Sequence, residues 1–156
     1  MTVNIHHVSI FVADMDRAIH LFRDILGFEM SWHIPEAGGK QLSALLGIED
    51  MKAELAYLKS GSDGISIELA RLIRPVVTPQ GIRFGSIGTM GVSIAVPDVD
   101  SLYDRLNEEG WIPLTRCLSI RSPDGGNLRV FCIRLENCLT LEFMEQIMPA
   151  GKNNCR

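Results

Sequence analysis

The sequence predicts an α+β fold made of two tandem modules, each running strand, helix and then three strands. Three observations carry that prediction. The stretch His6-His7-Val8-Ser9-Ile10-Phe11-Val12-Ala13-Asp14-Met15-Asp16 returns as Met90-Gly91-Val92-Ser93-Ile94-Ala95-Val96-Pro97-Asp98-Val99-Asp100, with a constant shift of 84 residues from His7 to Gly91. Each copy turns from two-residue to helical periodicity just past its aspartate. Each copy also ends alike, Ser66-Ile67-Glu68-Leu69 against Thr140-Leu141-Glu142-Phe143.

The elements follow in order. Residues 4–12 alternate as a strand, and Asp14 is an N-cap whose carboxylate can accept the free amides of a first turn. Met15, Ala18, Ile19, Phe22, Ile25 and Leu26 then form one apolar helical stripe, stopped by Gly27. A strand is expected near 28–34, a short helix or loop over 38–47, and strands near 51–59 and 64–72, the last two split by the turn Ser60-Gly61-Ser62-Asp63-Gly64. In the second copy a strand spans 88–96 and a helix about 98–109, with Val99, Leu102, Tyr103 and Leu106 on its apolar side and Gly110 as its stop. Strands near 112–120, 127–135 and 138–146 complete it, with turns at Ser122-Pro123-Asp124-Gly125-Gly126 and Glu136-Asn137. The modules are thus placed at about 3–73 and 87–147. The Pro- and Gly-bearing linker covers 73–87, and a patternless tail 148–156.

Composition narrows the function. A 46% hydrophobic and 22% charged chain with net charge −4 and no basic stripe argues against nucleic acid as a partner. No apolar run approaches the ~20 residues of a membrane span, and the N-terminus enters a strand pattern without the marks of a signal peptide. Cys117, Cys132, Cys138 and Cys155 form no metal-binding spacing and read as buried structural thiols of a cytoplasmic protein.

Alternation sorts the strand residues onto two faces. Val8, Ile10, Val12, Ile67, Leu69, Val92, Ile94, Leu141 and Phe143 share a branched, apolar face suited to packing on the helices. The opposite face carries Ser9, Ser66, Ala70, Gly91, Ser93, Ala95 and Thr140, together with Ile5, Phe11, Met144, His7, Glu68 and Glu142. Small side chains cannot fill that face themselves, so it curves around a ligand or meets water. Carboxylates are costly to bury unless they are paired or bound, and the ligand cavity is the preferred reading.

The run His7 through Ala18, the run Phe22-Arg23-Asp24-Ile25-Leu26-Gly27-Phe28, and the pair Ile67-Glu68-Leu69 and Leu141-Glu142-Phe143 resemble the paired βαβββ modules of the vicinal oxygen chelate superfamily. That superfamily includes glyoxalase I, methylmalonyl-CoA epimerase, extradiol dioxygenases and the bleomycin and fosfomycin resistance proteins. The resemblance implies a curved, barrel-like, mostly antiparallel sheet around a central cavity, and often a homodimer. It also implies that metal ligands come from the first and fourth strand of each module, which here are His7, Glu68, Gly91 and Glu142. Gly91 cannot ligate. His7, Glu68 and Glu142 remain as donors for a divalent ion such as Zn, Ni, Co, Mn or Fe. The implied chemistry is a lyase or isomerase reaction on a small oxygen-chelating substrate through an enolate or enediolate. Glu142 is the first candidate for ligand or general base, and Glu68 is the second carboxylate. The missing second histidine disfavours a dioxygenase.

The rival function is a metal-free drug- or antibiotic-binding protein of the same fold, to which Gly91 points and the three retained donors do not. Of the remaining polar residues, His6 is expected on the apolar side, His20 in solvent beside the helix stripe, and His33 in a structural role near a strand end. Arg121 and Arg129 are expected near a cavity rim, where they could meet an anionic substrate.

Overall fold

A computed structural model describes residues 4–61, 64–77, 85–122, 125–136 and 138–147. The expectations for the tail from 148, for Cys155, for the middle of the linker (78–84) and for the turn residues 62–63, 123–124 and 137 lie outside them. The chain divides into two compact units, Met1–Pro79 and Gln80–Arg156.

Unit 1 runs β1 (His7–Phe11), α1 (Met15–Ile19) continuing as a π-helical segment (His20–Ile25), β2 (Glu29–Gly38), α2 (Lys40–Leu46), β3 (Lys52–Lys59) and β4 (Ser66–Arg74). Unit 2 runs β5 (Met90–Ala95), α3 (Val99–Glu108), β6 (Leu118–Arg121), β7 (Asn127–Glu136) and β8 (Leu139–Ile147). The order of the module is therefore as expected, with α2 as the insertion in the first copy. The expected strand over 112–120 shortens to β6, preceded by a single bridge between Pro113 and Ile133.

Each unit holds its own four-stranded sheet, ordered β1-β4-β3-β2 in one and β5-β8-β7-β6 in the other. The expected sheet is thus divided into two, one per module. The β1–β4 and β5–β8 pairs are parallel and the others antiparallel. A parallel pair needs a crossover rather than a hairpin. The helix and the two strands between supply it.

The helix boundaries obey the caps. Asp14 accepts from the Arg17 amide at 3.0 Å and Asp98 from the Ser101 amide at 2.9 Å. Gly27 and Gly110 take φ of 75° and 76°, a left-handed conformation that ends a helix at no steric cost to glycine. The first helix departs from the expected α pattern after Ile19: the Leu26 amide bonds to the Leu21 carbonyl, one residue further back than in an α-helix. This wider turn keeps Leu21, Phe22 and Ile25 all buried.

The apolar faces pack as the alternation predicts. In unit 1, Ile10, Leu58, Ile67 and Leu69 are buried. In unit 2, Phe131 pairs across the strands with Phe143 and Ile133 with Leu141. Tyr103 of α3 meets Phe131 edge-on, with ring centroids 5.2 Å apart. Two other expectations change. Arg129 shares the face of Phe131, two residues along β7, and is paired with Asp100 in the first turn of α3. It therefore serves the helix side rather than the polar face. Cys138 is exposed, while Cys117 and Cys132 are half-buried, and all three are free thiols.

The Phe131 ring is fully enclosed between Tyr103 and Phe143. Phe131→Ala should lower the unfolding free energy by about 4 kcal/mol. Ile112→Ala, at a side chain 83% exposed, should change it by less than about 0.5 kcal/mol. Urea denaturation of both variants measures the difference.

Candidate functional site

The parallel register fixes what faces what. Ser9 of β1 lies opposite Glu68 of β4, Glu68 opposite Tyr57 of β3, and Tyr57 opposite Trp32 of β2. Directly paired residues point to the same side of a sheet, so Ser9, Glu68, Tyr57 and Trp32 form one row across unit 1. His7 sits one step along, opposite Ser66. Unit 2 repeats the row with Ser93, Glu142 and Cys132, and places Gly91 opposite Thr140 where unit 1 has His7 and Ser66.

The side chains follow the register. The Ser9 hydroxyl donates to Glu68 Oε1 at 3.0 Å, and the Ser93 hydroxyl makes the equivalent short bond to Glu142 Oε2. The His7 imidazole Nε2 stands 3.9 Å from Glu68 Oε1, too far for a hydrogen bond, with side-chain exposures of 33% and 23%. The Tyr57 ring meets His7 edge-on at 5.7 Å and stacks on Trp32 at 5.1 Å. This face is not a plain wet surface. Tyr57, Ser66, Ala70 and Thr140 are buried, and the Thr140 hydroxyl has no hydrogen-bond partner among the described residues. Burial pushes the Cys132 thiol up, and the charge of Glu142 on the neighbouring strand adds to it.

His6 departs from expectation. It precedes β1, and its Nδ1 lies 2.8 Å from the Nδ1 of His7 and 3.4 Å from the Tyr57 hydroxyl. Outside the strand, its direction is not set by the alternation. His33 lies within β2 rather than near its end, and its Nε2 is 2.8 Å from Glu54 Oε1. Arg71 takes the other oxygen, with Nε and Nη2 at 2.8 and 2.6 Å. His20 is bonded to Asp24 at 3.0 Å rather than simply solvated. Arg121 is exposed at the end of the edge strand β6.

Residues 4–134 match the family described as Glyoxalase/Bleomycin resistance protein/Dioxygenase superfamily. The chain belongs to this superfamily. It is similar to a 2-epi-5-epi-valiolone epimerase from Actinomyces sp, 28% identical over 109 residues, which are 69% of this chain and 59% of the epimerase. The match therefore spans little more than half of that enzyme's length. Among solved structures, a glyoxalase family protein from Bacillus cereus superposes with a TM-score of 0.82 at 20% identity, covering 95% of this chain and 97% of the other. A trypanothione-dependent glyoxalase I from Leishmania major gives a TM-score of 0.61 at 15% identity, covering 92% and 87%. At these identities the two structures speak for the fold.

Superfamily membership raises the question of a metal. Among the described residues, no three His, Cys, Asp or Glu side chains form a group that could hold an ion. Unit 1 does provide a matched pair of donors. The Nε2 of His7 and the Glu68 carboxylate face each other beyond hydrogen-bond range. Imidazole and carboxylate are suitable ligands for a borderline divalent ion, with water or substrate in the open positions. Glu142 repeats the setting of Glu68 in unit 2, with the same serine partner and without a histidine.

Sequence reading missed Tyr57 and the Glu54–Arg71 pair, and it did not foresee that His33 joins that pair or that His6 meets His7 and Tyr57. Burial works against the Glu54 charge, but hydrogen bonds from His33 and Arg71 overcome it and hold the carboxyl below its ordinary 4.5. A depressed carboxyl stabilises the fold above its unfolded-state pKa and loses that contribution as pH falls below it. Glu54→Gln should cost about 1 kcal/mol at pH 7, a figure discounted for the half-exposed Arg71 and His33. The gap between wild type and variant should close as pH drops below 4.5, as denaturant melts across pH can measure.

Proposed function

We propose that this protein is a divalent-metal-assisted isomerase or lyase of the epimerase or glyoxalase type, acting on a small molecule that carries two neighbouring oxygens. The observation that carries this reading is the facing pair of His7 Nε2 and Glu68, with Glu68 oriented by Ser9. His7 and Glu68 are the proposed holding residues for the ion. When bound, such an ion supplies a Lewis acid that favours negative charge on a carbonyl oxygen. Glu142 is proposed as the further ligand or as the general base that moves a proton at the carbon next to that carbonyl. It enters by its equivalence to Glu68 in strand position and serine partner. Ser93 keeps that carboxylate in one orientation, which favours proton transfer at a defined atom. The similarity to an epimerase supports the isomerase form of the reading.

The free thiols of Cys117, Cys132 and Cys138 support a cytoplasmic setting. Among the described residues, no helix is long and apolar enough to cross a membrane. A small-molecule substrate and a homodimer belong to the same proposal.

A second reading, a metal-free small-molecule binder, draws on Gly91 at the position equivalent to His7 and on the absence of a three-residue metal group among the described residues. Elemental analysis of protein purified without chelator, with calorimetric titration of Zn, Mn, Co, Ni and Fe ions, separates the two. The wild type should bind one of these ions, and Glu68→Ala and Glu142→Ala should each weaken binding at least about tenfold. If neither substitution alters binding, the metal reading is wrong and the binder takes its place.

A further inference from the structure

We propose that the row Gly91, Thr140 and Arg134 in unit 2 is an oxyanion subsite. In it the Thr140 hydroxyl and the Arg134 guanidinium hold a carboxylate or phosphate group of a small molecule.

Register sets the row. Gly91 of β5 lies opposite Thr140 of β8, and Thr140 opposite Arg134 of β7. Directly paired residues share a side of the sheet, and this side also carries Ser93 and Glu142, one step along. Unit 1 builds the matching row from His7, Ser66 and Lys59. Both rows set a hydroxyl beside a basic side chain. They differ at the third member, an imidazole in unit 1 and only the exposed backbone of Gly91 in unit 2.

Two groups in the row await a partner. Thr140 is 3% exposed, and its hydroxyl has no hydrogen-bond partner among the described residues. An enclosed hydroxyl without a partner costs the free protein stability that a valine of nearly the same shape would not. A ligand oxygen offsets that cost. Arg134 is exposed, and no carboxylate pairs with it among the described residues. Arg71, Arg74 and Arg129, by contrast, are taken up by Glu54, Asp50 and Asp100. A long arm without a partner can swing from the row and let a ligand reach the hydroxyl, and Gly91 adds no side chain to crowd it.

The chemistry of the two groups names the ligand. A guanidinium presents parallel N–H donors that match a carboxylate or phosphate, and the hydroxyl adds another donor. The opposing charge is Glu142, two residues or about 7 Å along the strand, where Ser93 holds it. Direct contact with Arg134 outweighs repulsion at that separation. A substrate anchored here by its anionic end brings a carbon a few bonds away to Glu142. This last link rests on the reading of Glu142 as the group that moves a proton; the subsite itself does not.

Phosphate and acetate are the probes, titrated into isotope-labelled, metal-free protein at ionic strength held constant with sodium chloride. At least one should give saturable shifts of the Gly91 and Thr140 amides and the Arg134 Nε–H, and the tighter of the two names the group. Arg134→Gln and Thr140→Val should each weaken binding about tenfold, while Lys59→Gln, in the matching row of unit 1, leaves it unchanged. Without the anion, Thr140→Val should unfold at the same or a higher urea concentration than the wild type. No shift with either anion in the wild type overturns the proposal, a result that needs no variant to fold. Unchanged affinity in Arg134→Gln or Thr140→Val overturns it, and so does an equal loss in Lys59→Gln, which would mean that surface charge alone attracts the anion. Unfolding of Thr140→Val at lower urea shows that the hydroxyl already has a partner and overturns it too. A protein that takes up no divalent ion and still binds the anion here loses the metal reading and keeps this subsite; the converse result does the opposite.

Discussion

The parallel pairing of the first strand with the last in each module brings residues from the two ends of the module side by side. A parallel pair cannot be joined by a tight turn, so the helix and the two middle strands are the connection it requires. Its register then sets Ser9 against Glu68 and Ser93 against Glu142. A slip of one residue would move every one of these groups to the helix side. The buried rows Ile10, Ile67, Leu69 and Ile133, Leu141, Phe143 prevent that slip, because it would carry them away from the helices. Core and site are two faces of one register.

Three glutamates on these sheets show how the surroundings assign a role. Glu54 is buried and receives Arg71 and His33, so its charge is matched and it links β3 to the strands on either side. Glu68 and Glu142 are half-buried and receive hydroxyls. A hydroxyl orients a carboxylate without bringing an opposite charge to it. The chemical interest of the two strands lies in this difference.

Much of the fold was legible in the chain. The repeat marked the modules, Asp14 and Asp98 marked the helix starts, and alternation placed His7, Glu68 and Glu142 opposite the apolar rows. The partners of those residues were not legible. Tyr57 and Trp32 join the row of Glu68 only through the pairing of β3 with β4 and of β2 with β3, and the latter includes bulges that no alternation count foresees. The Glu54–Arg71 pair depends on the same register. The alternation of β7 puts Arg129 with Phe131, away from any rim. No alternation reaches His6, since β1 begins at His7.

Periodicity, caps and the His-to-Gly difference between copies were local properties, carried by residue order, and from them came the modules, the faces and the donor set His7, Glu68 and Glu142. The distances came from elsewhere. His7 to Glu68 and the Tyr57 hydroxyl to His6 were decided by segments brought together from distant parts of the chain. Residue order sets which side a strand residue faces, because successive side chains alternate. Only the register between strands sets which residue it meets there.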